Sequence, residues 1–406
     1  NFLHRRSFKN HKHSNILLME RLSWSFSWNE LLPKVFLTRY ITKLPWCIKP
    51  VFAYISDRYY ISGYRTKIYF LITGFSEMLC LLLLGIQIKS TFVVTFLILL
   101  DQISLAFRDS LAEALMVILT KTEERNQQRE IQRQRNLLPN EGDGNKSFQA
   151  KDIVNNSQKY VTAIFIVRFV GSFFTSYISG ILLLYMTPHQ LLLACSVLPF
   201  ITIIHALFFF KEPKQKLSIQ EKKNLENFSI ADVWKSVEEY KWQGYLFFIV
   251  VLLSWPNTIN GIRYFLIDHL HMSTYDIGLI FTIGSLFYIG YMNAMNIWFS
   301  DYTLRGYYKL IHLLMVLDII FRYSQMLPAF YPEGMIIAVG DQIINNLFYD
   351  LPSIPLLAIV CCICPIVKEA TYYAFFVCIS NFFCSFANFT GYLYLRILNV
   401  TSEDYT

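Results

Sequence analysis

Phe92-Val-Val-Thr-Phe-Leu-Ile-Leu-Leu-Asp101-Gln-Ile-Ser-Leu-Ala-Phe-Arg108-Asp109-Ser-Leu-Ala-Glu113-Ala-Leu-Met-Val-Ile118 is apolar enough to cross a bilayer as one helix, yet it carries four charges. A spanning helix needs about 20 mostly apolar residues. An ionised side chain near the bilayer centre costs roughly 2.5–3.5 kcal/mol on insertion scales, so such groups turn toward partners or a wet interior. A simple anchor has no use for them. A bundle of helices around a polar path does, and the stretch points to an all-α, multi-pass membrane protein.

Composition agrees. Of 406 residues, 54% are hydrophobic, 17% aromatic and only 16% charged, against about a quarter charged in ordinary soluble domains. Ten segments are long and apolar enough to span, near 35–55, 68–88, 92–118, 161–184, 189–210, 244–266, 277–299, 308–330, 335–361 and 368–396. Pro352 and Pro355 interrupt the ninth, which a bundle tolerates because neighbours satisfy the freed backbone. The connections after odd-numbered segments, with Lys309 and Lys368 at the leading edges of the segments that follow them, hold twenty-one Lys and Arg, and those after even-numbered segments hold Lys89 alone. That asymmetry marks the crowded side as cytoplasmic, and it accounts for the net charge of +7 without nucleic acid.

The organisation expected is a basic N-terminal segment (1–34) with a degraded first helix, an N-terminal bundle (35–210), an inter-bundle loop (211–243) and a C-terminal bundle (244–406). Arg5, Arg6, Lys9 and Lys12 fall on the wrong side by parity, and 16–32 is too polar to span. With no Met before Asn1 and a polar run at Thr401-Ser402-Glu403-Asp404, terminal helices missing from the chain would restore the parity. Within the 121–160 loop, 123–135 reads as an exposed helix.

The halves echo each other. Ser56-Asp57 and Gly63-Tyr64-Arg65 recur as Ser300-Asp301 and Gly306-Tyr307-Tyr308-Lys309, and Asp101-Gln102-Ile103 recurs as Asp341-Gln342-Ile343. Nearly equal offsets at equivalent places suggest duplication. Two related bundles with a site between them describe a secondary transporter, in which Asp57 with Arg65, and Asp301 with Lys309, hold gating turns.

Asp109 and Glu113 lie four apart on one helical face. Two carboxylates that close compete for ionisation, which suits proton binding and release; the plainer alternative is an interfacial pair salt-bridged to Arg108. Arg168 has no partner near it in sequence and suits an anionic substrate group. Lys49 is a further cation within a span. The eight cysteines lack metal-site spacing, and no cofactor is expected.

Leu44-Pro45-Trp46-Cys47-Ile48-Lys49-Pro50, followed by Ser56-Asp57 and Gly63-Tyr64-Arg65, resembles the signature of the folate–biopterin transporter family of the major facilitator superfamily. The likeness continues through Asp109 and Glu113 (where an Asp is usual), Ser254-Trp255-Pro256, Gly340-Asp341, Cys364-Pro365, Glu369-Ala370-Thr371 and Ser380-Asn381. Thr66 and Val367 depart from the pattern. The resemblance implies a major facilitator-like two-bundle fold of twelve helices, about ten of which are present here. It also implies carriage of folate or pterin, a small-molecule substrate, with a proton as the driving partner. In that reading Asp109, Glu113 and Asp341 serve ring recognition or proton coupling, Lys49 and Arg168 hold the anionic tail, and Trp46 and Trp255 stack on the ring. S-adenosylmethionine is an alternative cargo, a non-transporting receptor or fragment another reading, and a membrane-embedded enzyme a third that no residue cluster supports.

Overall fold

The computed structural model describes residues 43–137, 145–212, 272–298 and 369–397, with isolated positions between them. Every regular element among the described residues is helical: α1 (Lys49–Arg58), α2 (Lys67–Leu84), α3 (Thr91–Leu137), α4 (Asn145–Tyr185), α5 (Pro188–Cys195), α6 (Val197–Ile204), a π-turn (His205–Phe209), α7 (Thr274–Trp298) and α8 (Glu369–Ile397). Six stretches are long and apolar enough to cross a membrane: Lys67–Leu84, Thr91–Glu123, Lys159–Tyr185, Pro188–Phe209, Tyr275–Ala294 and Ala370–Gly391. These coincide with six of the ten expected spans. The expected spans at 244–266, 308–330 and 335–361 lie outside the described residues apart from scattered helical positions.

Several boundaries differ from the sequence expectation for local reasons. The first span is not one straight helix. Residues 43–47 are helical, Ile48 leaves helical geometry (φ −107°, ψ 15°), and α1 starts afresh with Pro50 in its first turn. Proline has no N–H to give the carbonyl four residues back, so the oxygen of Trp46 is left over. Val51 N–H turns to Ile48 instead (2.9 Å), which leaves the oxygen of Cys47 over as well. Both are taken by α8: Asn381 Nδ2 donates to Trp46 O (3.2 Å) and Cys378 Sγ to Cys47 O (2.6 Å). The fifth span breaks at Ser196, where Pro199 denies Cys195 O its partner. Most of the polar 121–160 region is helix, because α3 continues to Leu137 and α4 begins at Asn145. At 1.5 Å per residue α3 is about 70 Å long, so it projects well past the hydrocarbon.

The halves meet along two helix pairs. On α4, Ser172, Ser176 and Gly180 recur every four residues, and such small residues let backbones approach. They face α7, where a Cβ on Gly278 would sit 3.0 Å from Ser176 O and 3.2 Å from Gly180 Cα. Ser285 Oγ donates to Ser172 Oγ (3.3 Å). Further along, Phe169 stacks on Tyr288 with centroids 3.5 Å apart. The second pair is α1 with α8, joined by α3 at a knot of buried alanines: Ala53, Ala114, Ala370 and Ala374. A larger core draws on both halves, with Met116, Val117 and Val161 packed among Tyr288, Met292, Tyr372, Tyr373 and Phe376.

Candidate functional site

The alanine knot positions the charges. Lys49 lies one turn before Ala53 on α1, and Glu113 directly precedes Ala114 on α3, so the close approach of these backbones brings the two side chains together. Lys49 Nζ donates to Asp109 Oδ2 (2.6 Å) and to Glu113 Oε1 and Oε2 (both 2.9 Å). Arg168 on α4 adds a second cation: its Nη2 donates to Asp109 Oδ1 and lies 3.9 Å from Glu113 Oε1. Four of the sequence-predicted residues, Lys49, Asp109, Glu113 and Arg168, thus form one cluster of two cations and two anions.

Their surroundings are unequal. The Lys49 side chain is 1% exposed and that of Arg168 is 48% exposed. An ammonium has three hydrogens, and three carboxylate oxygens lie around Lys49, which makes it an internal counter-ion. Arg168 gives one of its five N–H donors to Asp109, so its fork has donors for another acceptor. Aromatic faces flank both: Nζ of Lys49 lies 5.4 Å from the Trp46 ring centre, and the Arg168 guanidinium 5.8 Å from that of Phe165. The buried phenol of Tyr373, from α8, lies within electrostatic range of Glu113 and Arg168, so the second half borders the cluster.

The expected bridge between the paired acids and Arg108 is not formed. Arg108 follows a different face of α3, about 100° from Asp109, and pairs with Glu77 of α2 through both terminal nitrogens. Asp101 lies on that side too, within electrostatic reach of Glu77. Trp46 is held through its Nε1, which donates to Gln102 Oε1 (3.0 Å).

The turn between Asp57 and Arg65 is a tight reversal. Ser62 and Gly63 have φ of 55° and 83°, the left-handed pair of a type I′ turn, and Ile61 and Tyr64 exchange backbone hydrogen bonds (3.1 and 3.0 Å). The reversal returns Arg65 to Asp57, and the two form a buried ion pair. The other Asp57 oxygen accepts from Thr371 N (2.9 Å) and Thr371 Oγ1 (2.7 Å). A carboxylate of the first half therefore caps the N-terminus of α8, where unpaired N–H groups and the helix dipole favour negative charge. Glu212 does the same for α2, accepting from the backbone N–H of Arg65, Thr66 and Lys67 and from Thr66 Oγ1 at 2.8–3.2 Å. Thr371, Glu212 and Glu77 have no role in the sequence reading; Glu77, a charge inside an apolar segment, carries the signal that could have found it. Asp341 and Asp301 lie outside the described residues, as do Trp255 and its neighbours, while Lys309 is an exposed helical position. Among the described residues no group of three His, Cys, Asp or Glu side chains gathers as metal ligands do.

The model of the BT1 family matches residues 33–132 and 146–406. The chain belongs to the BT1 family. It is 25% identical over 378 residues to "Folate transporter 1" of Plasmodium falciparum, covering 90% of this chain and 66% of that protein. It is 21% identical to "Probable folate-biopterin transporter 2" of Arabidopsis thaliana, covering 90% and 69%. A Synechocystis "Folate-biopterin transporter" is 22% identical, covering 89% and 67%. The match thus spans about two thirds of these relatives' length. Crystal structures of the nucleoside transporter NupG share the fold, with a TM-score of 0.52, 14% identity, and coverage of 87% of this chain and 80% of that one. The resemblance stated from Trp46, Lys49, Asp57 and Arg65 is borne out, as is the major facilitator-like fold of an integral membrane protein.

Proposed function

We propose that the chain is a secondary active transporter of folate- or pterin-type compounds, working by alternating access and coupled to a proton. The observation that carries this reading is the neutral four-charge cluster inside the first bundle, with Tyr373 of the second within electrostatic range of it. The names of the relatives support the substrate class.

The geometry supports a division of labour. Arg168, half-exposed and with donors to give, receives a substrate carboxylate such as a glutamyl tail, since guanidinium and carboxylate pair through parallel hydrogen bonds. The incoming carboxylate competes with Asp109 for Arg168. A proton taken up by Asp109 or Glu113 removes one negative charge from the cluster and releases a cation to the substrate, so proton and anion enter together. Lys49 keeps the remaining carboxylate ionised. Trp46, steered by Gln102, offers a flat face to the heterocycle. The Asp57–Thr371 cap closes the basic side of the path in this state, and its release accompanies opening there.

The test is uptake by the purified chain in liposomes, with labelled folic acid, biopterin and S-adenosylmethionine offered separately. Folic acid and biopterin should enter, faster under an inward proton gradient, and Arg168→Ala should weaken folic acid more than biopterin. Entry of S-adenosylmethionine alone would overturn the substrate class, and equal loss of both pterin substrates would remove Arg168 from tail recognition.

A further inference from the structure

We propose that Asp101 is a second proton-binding site, separate from the four-charge cluster and nearer the end of the bundle remote from the basic loops. It deepens the proton-coupled reading above and rests on it only for what the proton is used for.

The α2–α3 contact holds two carboxylates and one guanidinium. Arg108 is committed to Glu77, with Nη2 donating to Oε1 (3.1 Å) and Nη1 against Oε2. Asp101 lies seven residues from Arg108, two helical turns away, and its one described hydrogen bond comes from the neutral Gln102 Nε2 at 3.3 Å. The groups facing it are Glu77 and Cys80 of α2 and Gln102 and Arg108 of its own helix. From the 43–47 stretch ahead of α1 and from α8 the nearby groups are neutral: Trp46, which donates to Gln102, and Asn381, which donates to Trp46 O. Lys49 and Arg168 are engaged at Asp109 and Glu113. Arg108, the one described cation within electrostatic reach of Asp101, is already shared with Glu77. Asp101 sits ten residues inside the apolar stretch that begins at Thr91, about 15 Å along the axis, where an uncompensated charge is costly.

A proton meets that deficit. A carboxylate oxygen of Asp101 takes it from hydronium, one O–H bond forming as another breaks and water leaving; no redox partner is involved. The neutral acid relieves the repulsion with Glu77 and leaves the Glu77–Arg108 pair intact. Asp109 lies eight residues further along the same helix, about 12 Å, so α3 carries an outer proton site and, deeper, the cluster at which proton and anion compete.

The full chain is reconstituted in nanodiscs and titrated with acid, without substrate, while infrared difference spectra are recorded. A component of the protonated-carboxyl carbonyl band that belongs to Asp101 should appear in the wild type and be missing from Asp101→Asn, an isosteric neutral change, while the components of the other carboxyls remain. Glu77→Gln releases Arg108 to compensate Asp101, so the band should require at least tenfold more acid. If Asp101→Asn does not fold, Asp101→Glu should shift the band's frequency. An unchanged band in either Asp101 variant overturns the proposal. Proteoliposome uptake of folic acid forms a separate arm: Asp101→Asn should lose stimulation by a proton gradient and keep exchange at equal pH. Gradient stimulation retained in Asp101→Asn overturns the coupling role. A wild type that carries no folate fails the substrate reading, while the infrared arm still judges Asp101.

Discussion

Replacing Lys49 by methionine keeps an unbranched chain one atom shorter and removes the charge that three carboxylate oxygens share at 2.6–2.9 Å. What remains is two carboxylates facing one half-exposed Arg168. Removing one member of a buried ionic group typically costs about 3–5 kcal/mol, because the orphaned charge cannot be rehydrated, and with the Lys49 side chain 1% exposed this site belongs to that class. A second substitution separates loss of charge balance from loss of packing. Lys49→Met with Glu113→Gln leaves Asp109 and Arg168 as a one-to-one pair, and the double variant should recover about 2 kcal/mol relative to the sum of the singles, within the usual range of coupling between contacting residues. Unfolding of the purified protein in mixed micelles, followed by tryptophan fluorescence against SDS mole fraction, measures all four states of the cycle. If the two penalties simply add, the cluster is not held by charge balance and the competition proposed for substrate loses its basis.

Two further outcomes follow from the contacts between halves. Asp57→Ala and Thr371→Val should be coupled by about 1.5–3 kcal/mol, the worth of hydrogen bonds to a charged group, and both should raise labelling of cysteines introduced along the basic ends of α1 and α8; independent effects would remove the cap as a latch. Gly278→Leu drives a side chain into Ser176 O, 3.0 Å from its first carbon, and should cost about 1–3 kcal/mol by overpacking, whereas Gly290→Ala, with nothing within 4 Å, should change micelle stability little.

The parts of this architecture written in local sequence were readable, and those written in pairings were not. Apolar length located α2, α4, α7 and α8 because hydrocarbon thickness sets a count of residues. Lys49, Asp109, Glu113 and Arg168 stood out because charge inside such a stretch requires a reason. Their union was invisible, since Lys49 and Asp109 are sixty residues apart and only the approach of helices at Ala53 and Ala114 joins them. Adjacency misled at Arg108, which neighbours Asp109 in the chain but points toward Glu77. The turn at Ser62-Gly63 was marked by its glycine; that Asp57 reaches across to Thr371 was not, because a helix cap supplied in trans leaves no periodicity to detect. Glu212 shows the same limit, since nothing near Lys211 announces that its carboxylate closes the start of a helix 145 residues earlier.

The unmet peptide oxygens ahead of α1 bear on how the molecule moves. Trp46 and Cys47 have handed their carbonyls to α8, so neither half is self-sufficient at that level. Drawing the bundles apart there strips two backbone acceptors bare in a place where lipid offers no donor. Water has to arrive as the helices part, and separation without wetting is closed off. The proline that bends this segment thereby ties the opening of a path to its hydration, whatever solute later follows.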